Sequence, residues 1–401
     1  MSKVYVVAAK RSALASFSGA LANVSPADFG AQVLKQTLAS GNIQGEWIDE
    51  VIIGHVLSAG QKQGLARQIS VNAGVPVTVP AYTLNMVCGS GMKSVMNAYT
   101  SIKAGIHQMV VAGGIESMSQ APYLVNGYRT GIKMGHQTMQ DHILHDALLD
   151  AFEGYHMGIT AENIVEKYGF SREQQDKFAY NSQIKSMKAQ DEGLFNDEIV
   201  PVVIKNKKGD IVFDKDEYIN RNTSLEKIST LRPAFKGDGT VTAASSSGIN
   251  DGASFMVIAS EEAVKEHNLT PLFEIIGIGQ GGVHPKVMGL GPTPAIKNAV
   301  KFAGIKFEDI DVLELNEAFA AQSMGVVREL SHEFGVKEEE IFEKTNPKGG
   351  AIALGHPLGA SGNRILVTLV YDLLHNENYK IGLASLCIGG GMGTAVILKK
   401  I

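Results

Sequence analysis

Two stretches far apart in this 401-residue chain carry the same succession of features, and that repetition narrows the possible folds more than any other property. Cys88-Gly-Ser-Gly-Met-Lys-Ser-Val opens one amphipathic stretch, and Gly359-Ala-Ser-Gly-Asn-Arg-Ile-Leu opens another. Each leads into an apolar run that ends in clustered glycines, Gly113–Gly114 in the first and Gly389–Gly391 in the second. Small residues before a single helix are commonplace. Their recurrence in the same order with helix, strand and glycine cluster predicts an internal duplication, two similar α/β units packed face to face.

Apolar runs at residues 4–9, 50–53, 82–87 and 109–112 predict strands of the first unit, and runs at 310–315 and 382–386 predict strands of the second. Apolar spacing of three and four predicts helices over 26–40, 92–104 and 363–375. Between residues 115 and 240 the alternation lapses. A Gly/Tyr/Met/His-rich stretch (Tyr123–His145), a helical stretch (Thr160–Glu192) and a basic run (Lys205, Lys207, Lys208) read as a long insertion covering a site. The expected division is a first unit of 1–120 plus 248–271, an insertion of 121–247 and a second unit of 272–401.

The net charge of −5, without aromatic–basic interleaving, gives no support for nucleic-acid binding. No apolar run reaches the length of a membrane span. The run at 4–9 reads as a first strand and not an export signal, so the cytoplasm is the expected location. The chain has only two cysteines, Cys88 and Cys387, too few for a disulfide-stabilised secreted protein.

Cys88 lies between a predicted strand and a predicted helix. A thiol at a helix N-terminus meets the positive end of the dipole, which predicts a lowered pKa and a nucleophile. Gly89 and Gly91 are expected to let backbone amides approach whatever the sulfur binds. His356 lies in the glycine-dense turn 349–362, the counterpart of the Cys88 turn, so two facing turns would supply a base for the thiol. Cys387 opens Cys-Ile-Gly-Gly-Gly-Met-Gly at the end of the last repeated strand. Inert buried thiols, a zinc site and a redox pair are the rival readings, although no metal-ligand spacing accompanies the two cysteines.

The blocks around Cys88, Gly154-Tyr-His-Met-Gly-Ile-Thr-Ala-Glu-Asn, Asn316-Glu-Ala-Phe-Ala, Gly355-His-Pro and Cys387-Ile-Gly-Gly-Gly occur in one order over nearly the whole chain. In them the sequence resembles the thiolase family, in particular its acetyl-CoA acetyltransferase branch. The resemblance implies layered α/β/α/β/α units with a covering loop domain. It implies a reversible Claisen condensation of two acetyl-CoA to acetoacetyl-CoA plus CoA, through an acetyl-Cys88 intermediate. In that scheme His356 activates Cys88 and helps bind the thioester oxygen, and Cys387 removes the methyl proton of the second acetyl-CoA. Asn316 holds a water that stabilises the enolate with His356, and the amides of Cys88 and Gly389 form a second oxyanion hole. His156, Met157, Leu148, Met288 and Phe319 are implied to line the acyl pocket, Ser247 to touch the pantetheine arm and Arg221 to lie near the nucleotide. No metal or prosthetic group is implied. Self-association as a homodimer or homotetramer is, with Tyr123–His145 as the tetramer contact.

The chain departs from the family pattern at Ala244-Ser-Ser-Ser, at Asn346-Pro-Lys-Gly-Gly and in the loop 220–230, changes expected to touch the coenzyme A surface. The rival functions are a degradative 3-ketoacyl-CoA thiolase of longer chains and a non-catalytic acyl-CoA-binding subunit. The presence of Cys88, Asn316, His356 and Cys387 together argues against the latter.

Overall fold

A computed structural model describes residues 3–401. The main strands of the large sheet are β1 (Val4–Ser12), β2 (Glu50–Gly54), β3 (Ala81–Leu84), β4 (Met109–Ser117) and β5 (Asn250–Ser260), then β6 (Phe273–Gly282), β7 (Val312–Leu315), β8 (Ile381–Ile388) and β9 (Met392–Lys400). The first five lie in the order β3-β2-β4-β5-β1 and the last four in the order β7-β8-β9-β6. The two sets join where β1 and β6 pair antiparallel at Tyr5–Glu274 and Val6–Phe273.

The duplication is visible in the pairing itself. β1 runs antiparallel to β5, and β5 to β4, while β4, β2 and β3 run parallel. In the second set β6 is antiparallel to β9, β9 to β8, and β7 is parallel to β8. A parallel bridge from Leu313 to Thr345 stands where β2 meets β3 in the first set. The register slips at the same place in both first strands, between Val6 and Ala8 and between Ile275 and Gly277. The Asp49 carboxylate accepts from the amides of Gln108 and Met109 at the start of β4, and that of Asp311 from Lys380 and Ile381 at the start of β8.

Alternation along the strands builds the layers. Val4 and Val6 of β1 face a central core, whereas Tyr5 and Val7 face an outer one. The central core also takes Phe273 and Ile275 of β6, with two helices between the two halves of the joined sheet, α1 (Ser90–Lys103) and α2 (Leu358–His375). Outer helices such as Pro26–Ser40 cover the first set of strands, and Pro292–Ala303 and Ala320–Phe334 cover the second. The expected helices at 92–104 and 363–375 therefore begin earlier, at Ser90 and Leu358.

Two expectations about glycines need correcting. Gly113 and Gly114 do not end a strand; β4 runs on to Ser117. A Cβ on Gly114 would overlap the carbonyl oxygen of Gly359, so this glycine lets the sheet touch α2. Gly91 serves the contact between the two central helices, not a ligand, because a Cβ there would lie 2.7 Å from the Gly359 oxygen and 2.9 Å from the Asn363 nitrogen. Both obstacles are backbone, and no rotamer change relieves them. Gly114→Ala is expected to cost at least about 1–3 kcal/mol in urea unfolding, the usual penalty of overpacking.

The segment between β4 and β5 is not devoid of regular structure. It holds the helices Met157–Tyr168 and Arg172–Asp191, a short strand Ile199–Val200 that pairs parallel with β1, and the hairpin Val202–Ile204/Ile211–Phe213. The basic run sits at the exposed turn of that hairpin, where Lys205 pairs with Asp210.

A buried ionic cluster ties this segment to both units. Arg11 of β1 reaches Glu198 at 2.7 Å and forks Asp216 at 2.7 and 2.9 Å. Lys348 meets the same Glu198 at 3.4 Å and Asp372 of α2 at 3.0 Å. Lys348 is thus not a coenzyme A surface residue, as the sequence suggested, but a buried cation between two carboxylates. No helix among the described residues is long and apolar enough to cross a membrane.

Candidate active site

The turn that carries Cys88 is strained. After β3 the chain places Val87 at φ +47°, a left-handed conformation that a β-branched side chain rarely adopts. Local hydrogen bonds hold it there. The Asn85 side-chain oxygen accepts from the Val87 amide at 2.9 Å. The Ser90 hydroxyl donates to the Val87 carbonyl at 2.6 Å and accepts from the Met86 amide at 2.8 Å. Cys88 consequently stands just ahead of α1, half-buried, with its sulfur at the wall of a cavity of about 390 Å³.

The expected lowering of the thiol pKa is reversed. Burial pushes Cys88 up to about 11, outweighing the N–H groups of Gly389 and of Cys88 itself that approach the sulfur. The nearby Glu116 carboxylate pushes in the same direction as burial. Dipole arguments apply where a thiol is solvated or faces a cation; here desolvation dominates. At neutral pH the resting sulfur is a thiol and needs a base.

His356 lines the same cavity and offers a ring nitrogen for that task. It follows Gly355, whose φ of +105° and closeness to the Asn250 amide leave no room for a side chain. The His356 amide donates to the Asn250 side-chain oxygen at 3.0 Å. Its Nδ1 lies 2.6 Å from the Ser361 hydroxyl, which donates its own proton to the Pro357 carbonyl at 2.9 Å. Ser361 therefore accepts from His356, which puts the imidazole proton on Nδ1 and leaves Nε2 as the free base. Burial, and then the Arg364 guanidinium, push this imidazole down to about 3, so it rests neutral.

Cys387, the penultimate residue of β8, is a free and fully buried thiol lining the same cavity. Burial, with a further contribution from Cys88, pushes its pKa far up. Asn316 follows β7, is 1% exposed, and neither atom of its amide has a hydrogen-bond partner among the described residues. Its neighbour Glu317 is engaged by Ser182, Asn346 and the Ile352 amide.

The cavity walls are apolar. His156 caps the helix Met157–Tyr168, its Nδ1 accepting from the Gly158 amide at 3.0 Å, and its ring stacks on Phe235 with 4.6 Å between centroids. Phe235 meets Phe319 edge-on at 6.0 Å. Met157, Met288 and Phe319 cluster on the Cys387 side, and Leu148 packs with Met118, Ala147 and Leu358 on the Cys88 side. Of the residues picked from sequence, Cys88, His356, Cys387, Gly389, His156, Met157, Leu148, Ser247, Met288 and Phe319 line this one cavity. Asn316 is not among the lining residues and stands two positions before one of them, Ala318. Arg221 is not brought to it: the guanidinium binds Asp191 and Gln190 at the surface. Sequence reasoning passed over Phe235, Tyr218, Asn250, Ser361 and Glu116. Only Ser361, which recurs with Ser90 in the turns Cys88-Gly-Ser-Gly and Gly359-Ala-Ser-Gly, carried a signal that could have found it. Among the described residues no group of three or more His, Cys, Asp or Glu side chains is arranged to hold a metal ion.

A second cavity, lined by Asn220, Thr223, Ile228 and Leu231, shares Tyr218 and Ala243 with the first. The departure Ala244-Ser-Ser-Ser lies at this junction, where Ser246 and Ser247 line the first cavity and Ala244 the second.

Residues 4–262 match the family model described as thiolase, N-terminal domain, and residues 269–400 match thiolase, C-terminal domain. The chain is 52% identical over 401 residues, all of both chains, to a protein of Staphylococcus aureus (strain NCTC 8325 / PS 47) named probable acetyl-CoA acyltransferase. In structure it is similar to the acetyl-CoA acetyltransferase of Syntrophomonas wolfei, with 42% identity, a TM-score of 0.97 and 100% of each chain covered. It is also similar to human mitochondrial 3-ketoacyl-CoA thiolase, with 42% identity, a TM-score of 0.94 and coverage of 100% of this chain and 99% of that one.

Proposed function

The chain belongs to the thiolase family and is an acyltransferase, and from that premise we propose that it condenses two acetyl-CoA reversibly to acetoacetyl-CoA plus CoA. The observation that carries the chemistry is the convergence of Cys88, His356, Cys387 and the Gly389 amide on one apolar cavity. His356 Nε2 takes the Cys88 proton, and the thiolate attacks the thioester carbonyl. The amides of Cys88 and Gly389 stabilise the oxygen that gains charge. Cys387 gives its proton to the departing CoA sulfur and becomes a thiolate. Its high proton affinity then suits it to take a methyl proton from the second acetyl-CoA. The enolate, stabilised by the His356 imidazolium and a water on Asn316, attacks acetyl-Cys88. The released Cys88 sulfur recovers its proton from His356, and every proton is accounted for.

The short acyl chain is supported by the His156–Phe235–Phe319 wall and the Met157–Met288 pair, which narrow the Cys387 side. The pantetheine arm passes Ser247 and Tyr218 toward the second cavity. No prosthetic group enters the scheme. The segment 121–247 covers the site between units of 1–120 with 248–271 and of 272–401. The exposed Tyr123, Tyr128, Met134 and Met139 offer an apolar contact for further copies of the chain.

Thiolysis by free CoA tests the substrate. The proposal expects acetoacetyl-CoA to turn over at least about tenfold faster, in kcat/KM, than a longer 3-ketoacyl-CoA, the size of discrimination that a few methylenes allow. The reverse order assigns the protein to degradation of longer chains. No turnover of either by folded protein assigns it to acyl-CoA binding alone.

A further inference from the structure

The scheme above leaves one buried acid beneath the nucleophile without a role. Glu116, next to last in β4, is fully buried. Its Oε2 accepts from the Val56 amide at 3.1 Å and the Gly359 amide at 2.9 Å, and its Oε1 accepts from the Leu57 amide at 3.1 Å. Gly359 lies in the first turn of the 18-residue helix α2, where a carboxylate meets the positive end of the dipole. The approach is built in. A Cβ on Gly359 would stand 2.9 Å from Glu116 Oε2 and 2.5 Å from the Ile115 oxygen, so only glycine admits the acid there.

Gly359 is three residues past His356 and two before Ser361, the hydroxyl that fixes the imidazole tautomer. Glu116 belongs to the first unit and Gly359 to the second. The carboxylate therefore clamps the His356 turn to the unit that carries Cys88.

We propose that Glu116 is a positioning residue that holds the His356 turn of the second unit in register with Cys88 of the first. This rests on reading Cys88 and His356 as the reacting pair. The groups facing the carboxylate are His55, whose Nε2 is 3.4 Å away, Cys88, and Asp251 of the neighbouring strand. His142 faces His55 from the covering segment. Burial holds Glu116 up to about 7 and His55 down to about 4, so the pair carries at most one negative charge near neutrality, and that charge disfavours the Cys88 thiolate.

The test is a double-mutant cycle of Glu116→Gln with His356→Ala in the full-length enzyme, read by acetoacetyl-CoA thiolysis and by iodoacetamide alkylation of Cys88 against pH. Glutamine keeps the volume and one acceptor oxygen. In the otherwise native enzyme E116Q is expected to lower kcat about 10- to 100-fold with KM for CoA within about twofold, the pattern of misplaced groups. In the His356→Ala background the same change is expected to alter the rate less than about threefold, because residues that act through one another are not additive. Removing the charge is expected to move the alkylation midpoint to lower pH. A kcat within twofold of wild type, or an equal loss in both backgrounds with an unmoved alkylation midpoint, overturns the proposal. If E116Q does not fold, Glu116→Asp is read by the same cycle, with the alkylation midpoint now expected to stay. Alkylation needs no acyl-CoA, so the placement of the Glu116 charge beside Cys88 is tested even if the substrate assignment fails.

Discussion

Cys88→Ala is expected to remove thiolysis of acetoacetyl-CoA almost completely, by about 10⁴-fold or more, as when the nucleophile of an acyl-transfer site is deleted. The site offers no substitute. Cys387 is the only other cysteine of the chain. It is buried, and its pKa is pushed higher than that of Cys88. Without the Cys88 sulfur the amides of residues 88 and 389 have no covalent acyl group to hold, and CoA exchange with acetyl-CoA should stop together with thiolysis. The fold should survive, because the substitution removes one atom at a half-buried position and leaves in place the hydrogen bonds that Asn85 and Ser90 make to Val87. The measurement is the decay of the 3-ketoacyl-enolate absorbance under free CoA, with a thermal melt of the same preparation. A well-folded variant keeping a tenth of the native rate would sink the assignment of Cys88 as nucleophile.

The largest expected effect on stability comes from Lys348→Met. The ammonium lies between Glu198 at 3.4 Å and Asp372 at 3.0 Å, and all three side chains are buried. Arg11 still pairs with Glu198 after the change, but Asp372 has no other ion-pair partner among the described residues. Removing one partner of a buried pair leaves an uncompensated charge, which typically costs about 3–5 kcal/mol. Methionine keeps most of the apolar stem, so the loss reports charge more than volume. The pH dependence has a definite sign. Burial already raises the Asp372 pKa, and loss of Lys348 raises it further. A carboxyl whose folded pKa exceeds its unfolded value binds a proton more tightly in the folded state, so it destabilises above that window and recovers as pH falls. Urea unfolding should therefore show a larger deficit at pH 7 than at pH 5. A deficit below about 1 kcal/mol at pH 7 would mean that the cluster is dispensable.

Much of the architecture is legible along the chain because duplication and strand alternation are local, periodic signals. The turns Cys88-Gly-Ser-Gly and Gly359-Ala-Ser-Gly announced paired helices, and those helices form the central layer. The residues drawn from the turns, Cys88, His356, Cys387 and Gly389, share one cavity. The site was less legible where the deciding groups arrive from distant segments. Arg221 matched by position but lies in a turn, held by Gln190 and Asp191 at the end of the helix Arg172–Asp191. Phe235 stacks on His156 from a stretch with no periodic pattern. Glu116 looks like an ordinary strand residue until Val56, Leu57 and Gly359 converge on it.

The sequence by itself determined the repeated α/β units, the positions of the two thiols and the imidazole, and the reaction class they imply, because each depends on residue type and short-range order. Only the tertiary structure decided the protonation of the site and the duties of its glycines and charges. Cys88 sits just before a helix start, which favours a thiolate, yet burial outweighs the N–H groups of Gly389 and Cys88 and keeps it a thiol. Gly91 and Gly114 are glycines because two helices and a sheet touch there. Lys348 is a buried cation because Glu198 and Asp372 come to it from 150 and 24 positions away. Dielectric environment and close approach are properties of the assembled volume, and no short window of sequence encodes them.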